Sequence, residues 1–455
     1  MTQVQTAVDD RTYQLLHHNP LPLLLKMATP NAIAFLLQAA VSMAEVWYVG
    51  RLGTTSLAAI ALVFPMLMLM QMMSGGALGG AITSAIARAI GAGDIQKAEV
   101  LVWHAIVMAL LGAGMFFVLY FICGSQLLTI LGGQDEVLQQ ALVYADLLFS
   151  GAVVLWISNS ISAVYRGMGN MKFPATLMIF GAFLQVPLSG ALILGWFGLP
   201  QLGIVGAAIS ALSVASVSTI LLVVGLIFGK ETITLKTSHF RLRKNHFFDI
   251  TKVALPASLS PLLTVITILM LTGLVGRFGN AALAGYGIGS RLEFLLVPMV
   301  FGIGAAMTSM VGVNVGAKNI QRAEKIAWTG GLLAGSVTGI IGCVMALFPH
   351  LWIGLFTTDQ EAYDIGYRFL QIVGPCFAFQ GLGLSLYFAS QGAGKVNWPV
   401  LATIFRFVLT VSGAYVGVYW FNGGPETVFY LAGFGMVLYG GVTALAISLG
   451  AWRTQ

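Results

Sequence analysis

The sequence predicts an all-α polytopic membrane protein whose twelve transmembrane helices form two pseudo-symmetric six-helix bundles. Three observations predict this fold class: an apolar composition, a regular series of long apolar segments, and a repeat that relates the two halves. Of the 455 residues, 58% are apolar and 8% are charged, whereas a soluble domain carries about 25% charged residues. The mean hydropathy is +0.89. This composition excludes a soluble enzyme, a nucleic-acid-binding protein and a disordered scaffold.

The apolar segments have the length that a bilayer requires. A transmembrane helix needs about 20 apolar residues, which leaves room for about 12 of them here. The predicted spans are 28–50, 56–87, 99–122, 137–164, 173–196, 202–228, 249–275, 282–314, 324–347, 362–389, 398–420 and 428–450. The chain then divides into an N-terminal segment (1–27), a first bundle (28–228), a linker (229–248), a second bundle (249–450) and a tail (451–455).

The positions of Lys and Arg predict the orientation of the spans. Of the 22 cations, 17 lie in the termini, the even-numbered loops and the polar stretch 229–252, three in odd-numbered loops and two inside spans. By the positive-inside rule, both termini and the linker face the cytoplasm. The basic stretch is therefore a topology determinant that contacts lipid headgroups, and we expect no nucleic-acid partner. The polar residues that precede any apolar run are unlike a cleavable signal peptide.

Residues that usually carry catalysis or bind metals are sparse. Cys123, Cys343 and Cys376 lie in or beside apolar spans without metal-ligand spacing, and we expect them to be packing residues. The motifs H-E-x-x-H and G-x-S-x-G do not occur, and His104 is the only histidine near the start of a span. We therefore expect no enzyme activity, no cofactor and no metal site.

The two halves of the chain are related by an internal repeat. Residues 91–99 (GAGDIQKAE) recur as 316–324 (GAKNIQRAE), and 81–84 (AITS) recur as 306–309 (AMTS), both at an offset of 225. Further pairs at this offset are 166–169 with 391–394, and Pro174 with Pro399. Because six spans is an even number, both copies enter the membrane in the same orientation and are related by an axis along its normal.

Such a pair of bundles encloses a central cleft, and rocking of the halves gives alternating access. Transport is therefore the favoured function. A channel is disfavoured because a pseudo-dimer of six-span units lacks the usual ring symmetry of a pore.

Four segments also resemble the multidrug and toxic compound extrusion (MATE) family. They are E-V-x-Y-V-G-x-L-G at 45–53, L-G-I-V-G-A-A at 202–208, V-G-x-N-x-G-A at 311–317 and the R-G-M-G loop at 166–169. Within the family, the chain is more similar to the bacterial DinF-like branch than to the NorM-like branch. The resemblance implies a monomer in the bacterial inner membrane. It also implies export of amphipathic, often cationic compounds by antiport against protons or sodium ions.

One alternative is a lipid-linked-oligosaccharide flippase of the same superfamily. Such a protein would be expected to have a strongly cationic cleft for pyrophosphate, and two arginines inside spans give it weak support.

Glu45 is the strongest candidate for cation coupling. An ionisable group inside hydrocarbon is costly and hence a functional candidate. Asn31, Gln38, Ser42 and Glu45 fall within about 60° of one another on the first span, a polar stripe that is expected to face the cleft. The family has an aspartate at this position. The alternative is an acid that snorkels to the outer interface.

Pro30 lies near the start of the same span. DinF-like members have a proline there that is proposed to bend the helix with protonation, so the resemblance implies a helix-bending role. The alternative is a proline that begins the helix at its first turn.

Three family positions carry neutral residues here. The Asn and Asp of the DinF-like site fall on Gln185 and Ser189, and the NorM-like acid of span ten falls on Gln380. A hard cation such as sodium prefers several oxygen ligands with carboxylates among them, whereas a proton needs one titratable group. Proton coupling is therefore favoured over sodium coupling.

The remaining polar groups inside spans have two interpretations. Arg291, Glu293 and Arg406 are expected to form a buried ion network that serves packing. Gln71, like Gln185 and Gln380, is a candidate for the substrate cleft or for an interhelical hydrogen bond. Methionines in span two suit a promiscuous pocket or lipid-facing packing, and they are Met66, Met68, Met70, Met72 and Met73.

Overall fold

The computed structural model describes residues 3–229 and 231–453. Lys230, counted above among the linker cations, and the outermost residues of the two terminal segments lie outside the described residues. The described chain folds into helices that we number in order. They are α1 (Gln3–His17), α2 (Pro20–Gly50), α3 (Thr54–Gly91), α4 (Ile95–Ile130), α5 (Asp135–Ser150), α6 (Ala152–Gly167), α7 (Lys172–Leu194), α8 (Ile204–Phe228), α9 (Lys244–Gly276), α10 (Asn280–Gly316), α11 (Ile320–Leu347), α12 (Gln360–Ala393), α13 (Asn397–Tyr419) and α14 (Pro425–Ser448).

The helices agree with the predicted series of spans. Within the described residues, eleven helices are long and apolar enough to cross a membrane, and α5 with α6, bent by 47°, makes a twelfth if the pair is one span. Two short connections are single 3₁₀ turns, at Trp196–Gly198 and Thr237–His239, and another contains a single α-helical turn, His350–Ile353. The first transmembrane helix begins at Pro20, earlier than predicted, because proline is well suited to the first turn of a helix.

The polar N-terminal segment forms helix α1, which was not predicted from the sequence. The Asn314 side-chain amide donates to the Leu15 carbonyl at 3.1 Å, and Arg11 Nη1 lies 3.1 Å from Glu231 Oε2. Leu15 itself is buried. The N-terminal segment is thus docked against both the second half and the linker.

Equivalent contacts recur in the two halves. Thr83 Oγ1 donates to the Ala163 carbonyl at 3.0 Å in the first half. Thr308 Oγ1 donates to the Phe388 carbonyl at 2.9 Å in the second half, 225 positions later in both partners. Likewise Asp94 caps α4, and its repeat partner caps α11 through the same side-chain bond three residues on. The repeat in the sequence therefore corresponds to a repeat of three-dimensional structure.

The halves are joined at one end, which we call the basic end because the linker and the loops 92–94 and 317–319 lie there. Ser84 Oγ on α3 donates to the Gly392 carbonyl at 3.0 Å, and Lys97 Nζ lies 2.6 Å from Asp249 Oδ2. A buried cluster shared by the halves includes Met27 and Met310. These contacts close the cleft at the basic end.

At the opposite end, the second half has a core of its own. This core runs from Leu271 to Met436, and its buried members among the described residues all belong to the second half. Among the described residues, this core shares no buried member with the first half, whereas apolar packing joins the halves toward the basic end. We therefore expect the cleft to open away from the basic end.

Candidate functional site

A polar cluster lies inside the first half around Glu45, near the C-terminal end of α2. Gln185 Nε2 donates to Glu45 Oε1 at 2.9 Å, and Ser189 Oγ donates to the same oxygen at 2.7 Å. Ser189 Oγ lies 2.5 Å from Ser210 Oγ on α8. The carboxylate is thus held by donors from a neighbouring helix and backed by a further hydroxyl.

The local sequence explains how α7 presents these donors. Residues four apart lie on the same face of a helix, so Gln185 and Ser189 project together. Both side chains are buried, as is Ser210, which satisfies its own donor on the Ala207 carbonyl at 2.9 Å. Buried polar groups are stable only when hydrogen-bonded, and Glu45 supplies the acceptor. Gln185 and Ser189, the neutral residues at two family positions, therefore contact Glu45 directly.

Two residues of this cluster, Ser210 and Tyr144, were not predicted from the sequence. Tyr144 on α5 is buried and lies near enough to interact electrostatically with Glu45. The sequence spacing of neither residue indicates that it lies in a polar cluster. The motif at 202–208 ends two residues before Ser210 and is the nearest signal.

The proposed polar stripe of α2 is only partly correct. Asn31 is buried toward the basic end, where its Nδ2 lies 3.3 Å from Met171 Sδ, and it does not contact Glu45. Ser42 is exposed and donates to the Gln38 carbonyl at 3.3 Å, while the Gln38 side chain is partly buried. Asn31 and Glu45 are separated by 14 positions, about 21 Å along a helix, so a shared face does not make a shared site.

Pro30 lies in the interior of α2, because the helix begins ten residues earlier at Pro20. The alternative of a helix-starting proline is therefore wrong. Proline has no N–H for the carbonyl four residues before it, so α2 lacks one backbone hydrogen bond at this point.

Gln71 is exposed beside a π-helical turn, Met72–Leu78, that interrupts α3. Asn159 on α6 donates to Gln71 Oε1 at 3.2 Å and to Ser74 Oγ at 2.8 Å. Gln71 therefore makes an interhelical hydrogen bond, which was one of its two predicted interpretations. Such turns often occur at functional sites.

A cavity lies in the second half, bounded by α9, α10, α12, α13 and α14 and covered by α3. Glu293, Gln380 and Arg406 line it, together with Met68 and Met72 of the first half. Arg406 Nη1 donates to Gln380 Oε1 at 2.8 Å, and Arg406 Nη2 lies 3.9 Å from Glu293 Oε1. Glu293 and Arg406 therefore pair as expected, and both side chains also line a cavity.

Arg291 does not belong to this group. Its side chain is exposed, and its guanidinium lies over the Phe356 ring at 5.6 Å from the centroid. Residues two apart on a helix point in different directions, which separates Arg291 from Glu293. The expected network of three charged residues is therefore an ion pair of Glu293 and Arg406, with the Gln380 amide bonded to Arg406.

No metal-binding group is apparent in the described chain. Among these residues, no three His, Cys, Asp or Glu side chains are grouped so that they could hold a metal ion. The polar groups of the Glu45 cluster are its own carboxylate, the amide N–H of Gln185, and the hydroxyls of Ser189 and Ser210.

Known proteins resemble this chain along most of its length. The family model MatE matches it twice, at residues 30–190 and 256–416. It is similar to the probable multidrug resistance protein NorM of Thermotoga maritima, 26% identical over 381 residues that cover 84% of this chain and 82% of that one. It is also similar to the FAD transporter of Shewanella oneidensis, 25% identical over 367 residues that cover 81% of this chain and 80% of that one.

A solved structure matches the fold. A MOP superfamily transporter from Pyrococcus furiosus superposes with a TM-score of 0.89 at 25% identity, covering 97% of this chain and 98% of that one. That protein is described as having a binding pocket of reverse polarity that suggests a different function. Together with the described helices, this match confirms the predicted fold class.

Proposed function

The chain belongs to the MatE family, and from that premise we propose that it is a secondary active multidrug efflux transporter. It exports amphipathic, cationic compounds by antiport against protons. The observation that carries this proposal is the Glu45 cluster, where one carboxylate inside a span accepts hydrogen bonds from Gln185 and Ser189. The similarity to a probable multidrug resistance protein supports the substrate class.

The composition of the cluster favours a proton over sodium as the coupling ion. A hard cation takes about six oxygen ligands and prefers carboxylates, and the Glu45 cluster holds one carboxylate. A proton needs a single titratable group with access to water. Glu45 is partly buried rather than sealed, and it lies near the C-terminal end of α2, away from the basic end.

Protonation changes what Glu45 does in its cluster. The ionised carboxylate accepts from Gln185 Nε2 and Ser189 Oγ, whereas the protonated acid is itself a donor and holds these partners less strongly. It also loses its attraction for a cationic substrate. Substrate and proton then compete for one group, which is the minimal requirement for antiport.

The change at Glu45 can reach the rest of α2 through Pro30. The missing backbone hydrogen bond makes this the weakest point of the helix interior. A weaker hold of α7 on Glu45 allows α2 to bend there and repack, so that proton entry promotes release of substrate on the open side.

We further propose that the basic end faces the cytoplasm and that the protein is a monomer in the bacterial inner membrane. The distribution of Lys and Arg supports this orientation. The cleft then opens to the outside, and the basic linker contacts lipid headgroups. We also propose that the first bundle (28–228) and the second bundle (249–450) are the two bodies that move against each other.

A flippase for lipid-linked oligosaccharides is less well supported. Such a substrate requires a strongly cationic cleft, yet Arg406 lies beside Glu293 and Arg291 lies outside the cavity.

Dye efflux from proteoliposomes tests the proposed function. A pH gradient imposed in sodium-free buffer is expected to drive efflux of a cationic dye, and a sodium gradient at uniform pH is not. Efflux that requires sodium and ignores pH would establish the sodium-coupled alternative. Absence of efflux under both gradients would contradict antiport of cationic compounds.

A further inference from the structure

The linker between the two bundles exposes apolar and cationic side chains side by side. Its apolar side chains, each 46% or more exposed, are Phe240, Leu242 and Phe248. Its exposed cations in the same stretch are Arg241, Arg243 and Lys244. We call these six residues the linker surface. Apolar groups that are exposed together and bordered by polar ones are typical of an interaction site.

Two neighbouring residues of α4 hold the linker in place. Trp103 Nε1 donates to the Lys236 carbonyl oxygen at 3.0 Å, and the Trp103 ring lies edge-on to the Phe240 ring with centroids 5.1 Å apart. His104 Nε2 accepts a hydrogen bond from the Arg243 backbone N–H at 3.0 Å. The segment from Lys236 to Arg243 is therefore bound to the first half at both of its ends.

The start of α9 continues the linker surface. The Phe247 ring lies 4.6 Å from the His104 ring, centroid to centroid, so the first turns of α9 pack against the same part of α4. Residues four apart share a face of a helix, and Lys244 and Phe248 therefore project together. Lys252, the next position at this spacing, has its Nζ 6.0 Å from the centre of the Phe248 ring. Apolar and cationic side chains thus alternate along one face of α9.

The cations of the linker surface have no acidic partner in the described part of the chain. None of the ion pairs found there includes a cation of this surface. The nearby acids pair with other groups, because Glu99 Oε2 lies 3.1 Å from His239 Nδ1 and Asp249 Oδ2 lies 2.6 Å from Lys97 Nζ. The positive charge of the surface is therefore available to an external anion.

The linker surface lies where a bilayer has its headgroups. The predicted spans within α4 and α9 begin at residues 99 and 249, next to the residues that hold and form the surface. Tryptophan is enriched at this depth, and Trp103 packs against the surface. Apolar side chains at the boundary enter the acyl region, while Lys and Arg beside them bind phosphate.

From these observations we infer that the linker surface is a binding site for an anionic phospholipid of the adjacent leaflet. The lipid phosphate pairs with the two guanidinium groups, whose forked donors match its oxygens, and Lys244 adds a third charge. The acyl chains lie against Phe240, Leu242 and Phe248. A zwitterionic lipid brings a cation of its own against three protein cations, and a soluble phosphate leaves the apolar side chains exposed.

This inference narrows the general contact of a basic linker with headgroups to one surface and one class of lipid, and it does not depend on transport. It depends on the proposed orientation only for the leaflet that supplies the lipid. Binding is therefore measured on purified protein in detergent, where neither an ion gradient nor the orientation enters.

Thermal unfolding in mixed micelles tests the inference. Dioleoylphosphatidylglycerol and dioleoylphosphatidylcholine, which differ in headgroup charge and share their acyl chains, are titrated separately into the protein in a neutral detergent. A ligand of the folded state raises the unfolding midpoint with its concentration, which gives an apparent dissociation constant. Each cation beside an anionic lipid is worth about fivefold in affinity, so the wild type is expected to bind the phosphatidylglycerol more tightly by about tenfold or more.

Variants locate this preference on the linker surface. The variant with Arg241→Gln, Arg243→Gln and Lys244→Gln is expected to bind the two lipids equally. The control variant carries the same loss of charge at three other exposed cations of the basic end, by Lys26→Gln, Lys172→Gln and Lys325→Gln. It is expected to keep the wild-type ratio. Arg241→Gln alone should lower the ratio about fivefold, and it serves if the triple variant does not fold.

The apolar part of the surface has its own test. Phe248→Ser keeps all three cations and is expected to weaken both lipids about tenfold, because an exposed ring no longer packs against an acyl chain. Glycerol phosphate, an anion without acyl chains, is expected to leave the midpoint of the wild type unchanged at the same concentrations.

Three results would overturn the inference. Equal effects of the two lipids on the wild type would do so without any variant. A preference for phosphatidylglycerol that is undiminished in the folded triple variant or in Arg241→Gln would show that another basic surface binds the lipid. Equal stabilisation by glycerol phosphate would show that the ligand is a soluble anion.

Discussion

Gly91 and Gly316 occupy equivalent positions in the two repeats, and each lies directly against the backbone of the other half. A Cβ atom on Gly91 would lie 2.0 Å from the Val313 carbonyl oxygen, and one on Gly316 would lie 2.2 Å from that of Arg88. Val313 and Arg88 are themselves repeat partners. The pseudo-twofold axis therefore passes between α3 and α10 at the basic end, where the absence of two side chains allows the halves to close.

Gly316→Ala is expected to open the basic end. The added methyl group meets backbone atoms, which no rotamer change can move away, so the closed arrangement loses stability relative to one with the halves apart. A cysteine at exposed Gln71 in inverted vesicles should then react several-fold faster with a membrane-impermeant maleimide. Gly273→Ala is the matched control, because a Cβ there meets nothing within 4 Å. Equal labelling rates would show that this contact does not hold the basic end closed.

Lys318→Gly is expected to stabilise the protein. Lys318 has φ +61°, a left-handed conformation that its repeat partner Gly93 adopts at φ +76°. A side chain in this conformation costs about 1 kcal/mol, so its removal should raise the unfolding midpoint by about 1–2 °C in a chain of this length. Lys318→Ala removes the charge and keeps the strain, and it should bring no gain. A higher midpoint for Lys318→Ala than for Lys318→Gly would refute the argument from backbone strain.

Cysteine labelling tests the proposed orientation. In a variant whose three native cysteines are replaced by alanine, a cysteine at Lys236 in the linker should react only from the cytoplasm. A cysteine at Gln360, the exposed first residue of α12, should react only from outside. Labelling of position 236 from outside would invert every span and place the open cleft on the cytoplasmic side.

Properties that depend on one segment at a time could be predicted from the sequence. The length and apolarity of each span, and the repeat with its glycine positions, are encoded locally. Contacts between helices were harder to predict. Gln185 and Ser189 were identified through their place in a family motif, while Ser210 and Tyr144 were not, because no local pattern relates α5 or α8 to Glu45.

Charged residues inside spans show the same limit. Arg291 and Glu293 are close in sequence, yet a helix turns them to different environments, and Glu293 lies instead beside Arg406, more than 100 residues away. Asn31 shares a helix face with Glu45 but lies about 21 Å from it along the helix axis. Periodicity gives the face of a helix, whereas a site also requires depth in the membrane and a neighbouring helix.

Gradient-driven efflux by Glu45 variants tests whether this residue couples proton entry to export. Cationic dye efflux from proteoliposomes is measured under an imposed pH gradient for Glu45→Gln, Glu45→Asp and the control Glu361→Gln, a matched change at an exposed position. Glu45→Gln should fold, because glutamine keeps an acceptor oxygen for Gln185 and Ser189. It should bind the cationic dye more weakly, and its efflux should fall to that of empty liposomes. Glu45→Asp should retain part of the efflux, and Glu361→Gln should match the wild type. Full pH-driven efflux by Glu45→Gln would show that another acid carries coupling. The first to examine are Glu293 and Asp146, an acid on α5 that accepts a hydrogen bond from the Tyr120 hydroxyl at 2.7 Å.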